Sequence, residues 1–276
     1  MNKYNVDICF LNVGGLKSKN NNKVNDPCFL QQIGKHDIIL LAETHVGYDT
    51  SINIPGYLYF PICRAQSKNG RYVGWLAVIY KAELKPGIKI LPITNTNFHW
   101  FKLDKDFFNF ERDMYTCLIY NPPVQSLVTQ SLIDKSILDL LNESIEKFKK
   151  IGDILLCGDS NARVGNDNDF ISNDNNQFNP SYLNYTGDSA NIRITQDKVI
   201  DHRGTELLDL CIGHSLRVLN GRLAGDSKGT FTCFTHNGSS TVDYSIVSES
   251  LLSKIHFFKV SNFLPDLSDT HCKISF

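Results

Sequence analysis

What most constrains this chain is its set of short apolar runs, each too brief for a helix and each closed by a polar or glycine-containing step. They are Val6 to Leu11, Ile38 to Ala42, Trp75 to Tyr80, Ile88 to Ile93, Tyr115 to Tyr120, Ile154 to Cys157, Arg217 to Leu219, Thr230 to Phe234 and Val242 to Val247. Their β-branched and aromatic content predicts strands. Only three segments have helical signals. Asp26 caps a short one, with Pro27 in its first turn and Gly34 past its end. The longest spans Leu132 to Lys150, where Ile133, Ile137, Leu141, Ile145 and Phe148 follow a helical period. A third covers Gly204 to Ile212. Asn166 to Asn191, rich in Asn, Asp, Ser and Gly, reads as a long surface loop. Many strands with few helices predict an α+β layered fold, two sheets with helices outside them.

The 276 residues are 42% hydrophobic and 21% charged, enough for a sizeable core and unlike a disordered or fibrous chain. A single domain over residues 1–276 is expected. No apolar run approaches the ~18 residues of a membrane span. Met1 to Phe10 lack the basic start and apolar block of a secretory signal, so export is not expected. Eight cysteines include no Cys-x-x-Cys pair, and Cys9, Cys117, Cys157 and Cys211 lie in apolar runs. Buried reduced thiols in the cytosol or nucleus are expected. Lys and Arg total 28 against 29 Asp and Glu, a net charge of -1. The chain is therefore not basic overall, and any nucleic-acid role needs a local site.

Candidate chemistry sits where the strands end. The first run ends in Asn12 and the second in Glu43; Tyr115 to Tyr120 is followed by Asn121-Pro122-Pro123. Ile154 to Cys157 leads into Gly158-Asp159-Ser160-Asn161. Ser240-x-x-Asp243-Tyr244 brings a carboxylate into a strand, and Ser268-Asp269-Thr270-His271 lies near the C-terminal end. Singly, each has a plain structural reading as turn, strand end or loop start. Together they form an ordered set at one kind of position, which favours a rigid rim carrying side chains.

That ordered set resembles the endonuclease/exonuclease/phosphatase superfamily, over Asn12 to His271. It is most similar to the apurinic/apyrimidinic-endonuclease-like domain of non-LTR retrotransposons. Asn12-Val13-Gly14-Gly15-Leu16-Lys17-Ser18-Lys19, Gly158 through Gly165, Asn220-Gly221-Arg222, Gly229-Thr230-Phe231-Thr232 and Gly238-Ser239-Ser240 extend the likeness. The resemblance implies a four-layered α/β sandwich of the deoxyribonuclease I kind, two packed sheets flanked by helices. It also implies Mg²⁺, with Mn²⁺ as a substitute, held by Glu43, with Asn12 and Asp269 as further direct or water-mediated ligands. Asp159 would orient or deprotonate the water and Asn161 would hold it. Tyr120 would meet the phosphate or leaving oxygen, and Thr232 would support the phosphate site. Asp243 would hydrogen-bond His271, which acts as a general base or as a cationic clamp. Hard oxygen donors and a charge-stabilising imidazole suit phosphodiester hydrolysis.

Two departures from the family pattern stand out. Thr270 separates Asp269 from His271 where most members have the pair adjacent; in an extended segment both side chains would then share a face, unless a bulge absorbs the extra residue. Cys233 follows Thr232 where an aromatic is expected. Other signals are weaker. Cys233-x-x-His236 and His271-Cys272 lack the second pair of a structural zinc site. Asp167-Asn168-Asp169 reads as a solvated turn rather than a calcium loop, and Gly14-Gly15 lacks the Lys-Ser/Thr of a P-loop. His45, beside Glu43, would point to the opposite face of a continuing strand.

The expected function is metal-dependent DNA endonuclease, leaving 3′-hydroxyl and 5′-phosphate ends. In the retrotransposon setting it would nick chromosomal DNA in the nucleus to prime a reverse transcriptase fused in the same polyprotein. The chain, ending at Phe276, would be an excised domain or truncated copy acting as a monomer. Another superfamily phosphoesterase, for RNA, inositol phosphate or lipid headgroups, and a non-catalytic DNA-binding module stay open as alternatives.

Overall fold

The computed structural model describes residues 5–17, 22–47, 50, 52–63, 75–123, 136–171 and 192–276. Two six-stranded sheets face each other. The first has the order β13-β14-β1-β2-β4-β3, built from β1 Ile8–Asn12, β2 Ile38–Ala42, β3 Tyr57–Ile62, β4 Leu76–Lys81, β13 Lys259–Val260 and β14 Ile274–Ser275. The second has the order β5-β6-β7-β8-β12-β9, from β5 Ile88–Ile90, β6 Phe98–Leu103, β7 Met114–Tyr120, β8 Asp153–Asp159, β9 Leu216–Val218 and β12 Asp243–Ser248. Each sheet has one parallel pair near its centre, β1 with β2 and β7 with β8, inside otherwise antiparallel neighbours. A small hairpin, β10 Cys233–Thr235 and β11 Gly238–Ser240, stands apart from both.

Helices complete a four-layered α/β sandwich with three apolar cores. Phe10, Leu40, Val78, Leu118, Leu155 and Val247 meet between the sheets. The opposite faces of β1 and β2, with Cys9, Leu11, Ile39 and Leu41, pack on Phe29 and Ile33 of α1, Pro27–Ile33. Beyond the second sheet, Cys117, Ile154 and Leu156 pack on α3, Ile137–Lys149, and α4, His202–His214. Strands buried on both faces have continuous apolar sequences, which is why β1, β2, β7 and β8 were legible.

Helix α1 has the expected cap, the Asp26 carboxylate accepting from Cys28 N at 2.8 Å. Helix α3 begins at a Ser136–Asp139 capping box, inside the expected span; residues 132–135 lie outside the described residues. Helix α4 starts two residues early because Asp201 caps it through Gly204 N. The short α2, Lys105–Phe108, and α5, Glu249–Leu252, had no periodicity to reveal them.

Other expectations change. Strand β3 contains Pro61, tolerated because β3 is a sheet edge. In β6, His99 and Lys102 interrupt the apolar pattern. Of Thr230 to Phe234, only the end enters a strand, β10. Most of the Asn166 to Asn191 loop, residues 172–191, lies outside the described residues. Asp169, however, is not in a solvated turn. It is wholly buried, takes two hydrogen bonds from Arg222 at 2.9 and 2.7 Å, and accepts from Val218 N. No disulfide joins any two of the eight cysteines; seven are buried and Cys28 is exposed. Among the described residues, no helix is long and apolar enough to cross a membrane.

His99 carries a pH prediction. Its ring is buried, stacks on Phe60 at 5.5 Å, and neither nitrogen has a hydrogen-bond partner among the described residues. Burial disfavours its cation and lowers its pKa to about 4. The unfolded chain then binds the proton first, so stability is expected to fall as pH drops from about 6.5 towards 4, by on the order of 3 kcal/mol. Urea unfolding at pH 7 and pH 4.5 should show this loss in the wild type and not in His99→Leu. Equal losses in both would refute a buried neutral imidazole.

Candidate functional site

Strand alternation assembles the site. Phe10, Leu118 and Cys157 point into the space between the sheets. Two residues further along each strand come Asn12, Tyr120 and Asp159, on the same face at the strand ends. Register brings them side by side: Asn12 opposes Ala42, while Asp159 opposes both Tyr120 and Asp243. The rim is thus the C-terminal edge of both parallel pairs.

Glu43 reaches that rim by breaking the alternation. It follows Ala42 and would otherwise continue the outer face of Leu41, but its backbone is left-handed, φ 52°. His45 is left-handed too, φ 53°, so the chain is not extended here. The expectation that His45 points away from Glu43 is corrected: residues two apart share a face even in an extended strand, and here the His45 Nε2 lies 3.4 Å from Glu43 Oε2. Positive φ in a non-glycine residue costs of order 1 kcal/mol and concentrates at functional positions.

Asn12 joins the two sheets. Its Nδ2 donates to Glu43 Oε1 at 2.7 Å and to Asp159 Oδ2 at 2.9 Å. Burial works against the Glu43 carboxylate, but hydrogen bonds from His45 and Asn12 outweigh it and hold its pKa below the usual value. Asp159, 1% exposed, goes the other way: burial and then the Asp243 charge raise its pKa, with His271 opposing.

His271 and Asp243 form the expected pair, Nδ1 to Oδ2 2.8 Å. Burial opposes the imidazolium, yet the charge and hydrogen bond of Asp243 prevail and push His271 up to about 12. Its Nε2 is 4.0 Å from Asp159 Oδ2. Thr232 sits behind this pair, wholly buried; its hydroxyl accepts from Val242 N and Asp243 N, both at 3.1 Å. Asn220 Nδ2 donates to Asp243 O at 3.0 Å. Asp243 Oδ1 is buried with no hydrogen-bond partner among the described residues.

Asn161 does not share an extended segment with Asp159. Its backbone is left-handed, φ 42°, with its N–H on Asp159 Oδ1 at 2.9 Å and its side-chain amide donating to Asn121 O at 2.9 Å. The Asp269-Thr270-His271 step is likewise a turn and not an extended pair sharing a face. Ser268 Oγ accepts from Thr270 N and His271 N, leaving Asp269 exposed and His271 buried. Asp269 is close enough to Lys23 for its charge to offset part of the burial that lowers the Lys23 pKa. Lys23, itself buried, donates to Val13 O at 2.6 Å. Arg203 was not foreseen either: it donates to Pro122 O at 2.6 Å beside the rim and feels the charge of Asp159.

The donor set fits a hard divalent cation. Glu43 and Asp159 present carboxylates anchored on one neutral amide nitrogen, and Asp243 Oδ1 adds a buried oxygen without a partner. Asp159, Asp243 and His271 offer ligand atoms within 4.8 Å of one another. Carboxylates and an imidazole at one rim of a two-sheet sandwich suit hydrolysis of a phosphoester, and sequence comparison gives the class. The chain belongs to the Endonuclease/Exonuclease/phosphatase family, whose sequence profile matches residues 9–269.

Solved structures share the fold. The endonuclease domain of TRAS1, a telomere-specific non-LTR retrotransposon, aligns with TM-score 0.58 and 16% identity over 98% of this chain and 96% of that one. The AP endonuclease LMAP from Leishmania major gives 0.64 and 14%, over 98% and 86%. The 3′-5′ exonuclease NExo from Neisseria meningitidis gives 0.60 and 12%, over 98% of each chain. No curated protein matches the sequence.

Proposed function

We propose that the protein is a divalent-metal-dependent DNA endonuclease that leaves 3′-hydroxyl and 5′-phosphate ends. The observation that carries this reading is the Asn12 amide joining Glu43 to Asp159, with His271–Asp243 beside them. Glu43 would be the principal holder of Mg²⁺, with Mn²⁺ as a substitute, and Asn12 and Asp269 would serve as further direct or water-mediated ligands; when bound, the ion supplies positive charge against the phosphate oxygens. The chain's residues supply the rest. Asp159, whose raised pKa suits a base near neutral pH, holds the attacking water with Asn161 and takes its proton. The water oxygen bonds to phosphorus and the P–O3′ bond breaks, the 3′ oxygen leaving to be protonated. Tyr120 meets the leaving oxygen. His271 is kept cationic by Asp243, which favours a clamp on the phosphate oxygens over a general base. Thr232 supports the phosphate site indirectly by fixing the backbone of Asp243.

The likeness to the TRAS1 domain supports a retrotransposon setting. There the enzyme would act in the nucleus as a monomer, nicking chromosomal DNA to prime a fused reverse transcriptase. Purified protein with Mg²⁺ is expected to convert supercoiled plasmid to nicked circles, and EDTA to abolish this. Hydrolysis of an inositol phosphate without nicking would point to the other phosphoesterase reading. No turnover of any phosphoester would leave a DNA-binding module.

A further inference from the structure

Arg203 stands beside the rim with its charge unanswered. It is the second residue of α4, half-buried, and its Nη1 donates to Pro122 O at 2.6 Å. Pro122 belongs to the stretch that leaves Tyr120, and hydrogen bonds tie that stretch to the catalytic strand end. Asn121 N donates to Asp159 O at 2.8 Å, and Asn121 O accepts from Asn161 Nδ2 at 2.9 Å. The guanidinium is thus one residue removed from the groups proposed to hold the attacking water.

The other described arginines are satisfied within the protein. Arg112, Arg163, Arg217 and Arg222 face the carboxylates of Asp153, Asp197, Glu249 and Asp169. Arg193 is buried against the carbonyls of Val164 and Asp167. Among the described residues, Arg203 alone is an arginine that solvent reaches and that forms no ion pair. Asp201, Glu206 and Asp159 pull on its charge, but each is engaged elsewhere. Asp201 Oδ1 accepts from Arg163 N and Gly204 N, Glu206 pairs with His202, and Asp159 accepts from Asn12 and Asn161. Burial therefore works against the Arg203 cation with no direct counter-ion to offset it, and a guanidinium does not escape by losing its proton. The Pro122 carbonyl takes one N–H of a planar fork whose remaining donors match the oxygens of a phosphate.

We propose that Arg203 grips a backbone phosphate next to the scissile one, so that the DNA strand supplies the counter-ion the protein lacks. This deepens the proposed nuclease function and rests on it. His271 is the clamp at the scissile phosphate; a second contact along the strand fixes register without reading sequence. Arg203 is then a substrate-binding residue, and the Pro122 hydrogen bond holds its fork in place.

Arg203→Gln and Arg203→Lys test this. Glutamine keeps a donor for Pro122 O and carries no charge, whereas lysine keeps the charge and loses the fork. Binding of a fluorescein-labelled random-sequence duplex to the full chain is followed by anisotropy in EDTA over a range of KCl concentrations. Arg203→Gln is expected to bind more weakly and to lower the slope of log K against log[KCl] by about 0.9, while Arg203→Lys keeps the wild-type slope. In Mg²⁺-dependent plasmid nicking, Arg203→Gln should raise KM about tenfold and leave kcat within about threefold. A lower kcat or melting temperature with an unchanged slope would make Arg203 a mere tether for Pro122 and overturn the inference. So would an equal loss of slope in Lys89→Gln, on the edge strand β5, which β6 and β7 separate from β8. A protein that nicks DNA but shows no slope change in Arg203→Gln refutes the contact alone. One that binds DNA with the Arg203-dependent slope and nicks nothing keeps the contact and refutes the nuclease function. A wild type that binds no DNA refutes both.

Discussion

His271→Ala is expected to lower Mg²⁺-dependent nicking by about 10³-fold or more, because it removes the cation beside the phosphate. The same change should cost stability. Asp243 is wholly buried, and His271 is its charge partner, so truncation leaves a buried carboxylate with its partner gone. Removing one member of such a pair typically costs about 3–5 kcal/mol. The two effects separate by pH in EDTA. A histidine whose folded pKa is raised stabilises fully below its unfolded value, near 6.5, and loses that contribution as pH climbs towards the folded value, here about 12. The melting-temperature gap between wild type and His271→Ala should therefore narrow from pH 6 to pH 9. A gap that widens would contradict a cationic imidazole. Nicking within tenfold of wild type would remove His271 from the chemistry altogether.

Gly158→Ala is expected to be strongly destabilising and to disturb the site. Gly158 opposes Ile119 in the parallel β7–β8 ladder, and an added Cβ would lie 2.0 Å from the Ile119 carbonyl oxygen and 2.7 Å from its carbon. Both partners are backbone inside a sheet, so neither can turn aside as a flexible side chain would. A loss of at least about 3 kcal/mol follows, together with displacement of Asp159 one residue on. For a chain of this size that is a drop in melting temperature of roughly 6 °C or more. Gly213→Ala is the control: it lies in α4 with open space around it, and should gain about 0.5–1 kcal/mol from helix propensity. Equal stability of the two variants would mean that the close approach at Gly158 is relieved at little cost.

The cores were readable in the sequence because buried strands must be apolar on both faces. The rim was partly readable because polar residues at the ends of such strands have few other reasons to recur in order. Glu43, Asn161 and Asp269 mark the limit. Glu43 lies one residue past β2, Asn161 two past β8 and Asp269 in the connection between β13 and β14, where a left-handed residue or a Ser268 turn decides which way the side chain faces, and alternation no longer applies. Asp169 shows the converse. An Asn- and Asp-rich stretch looks solvated, and only the fold reveals that Arg222, 53 residues away in sequence, neutralises one of its carboxylates.

The Asn12 amide has a mechanical consequence. It touches one carboxylate from each sheet, so it works as a calliper across the sandwich, reading the thickness of the apolar filling beneath it. Phe10 and Cys157 sit one step below the jaws, and Leu40 and Leu155 lie in the same filling. Dense interiors transmit such spacing instead of absorbing it. The fitness of the rim is therefore written into side chains that never meet substrate, and volume changes deep between the sheets retune the gap where the chemistry is done.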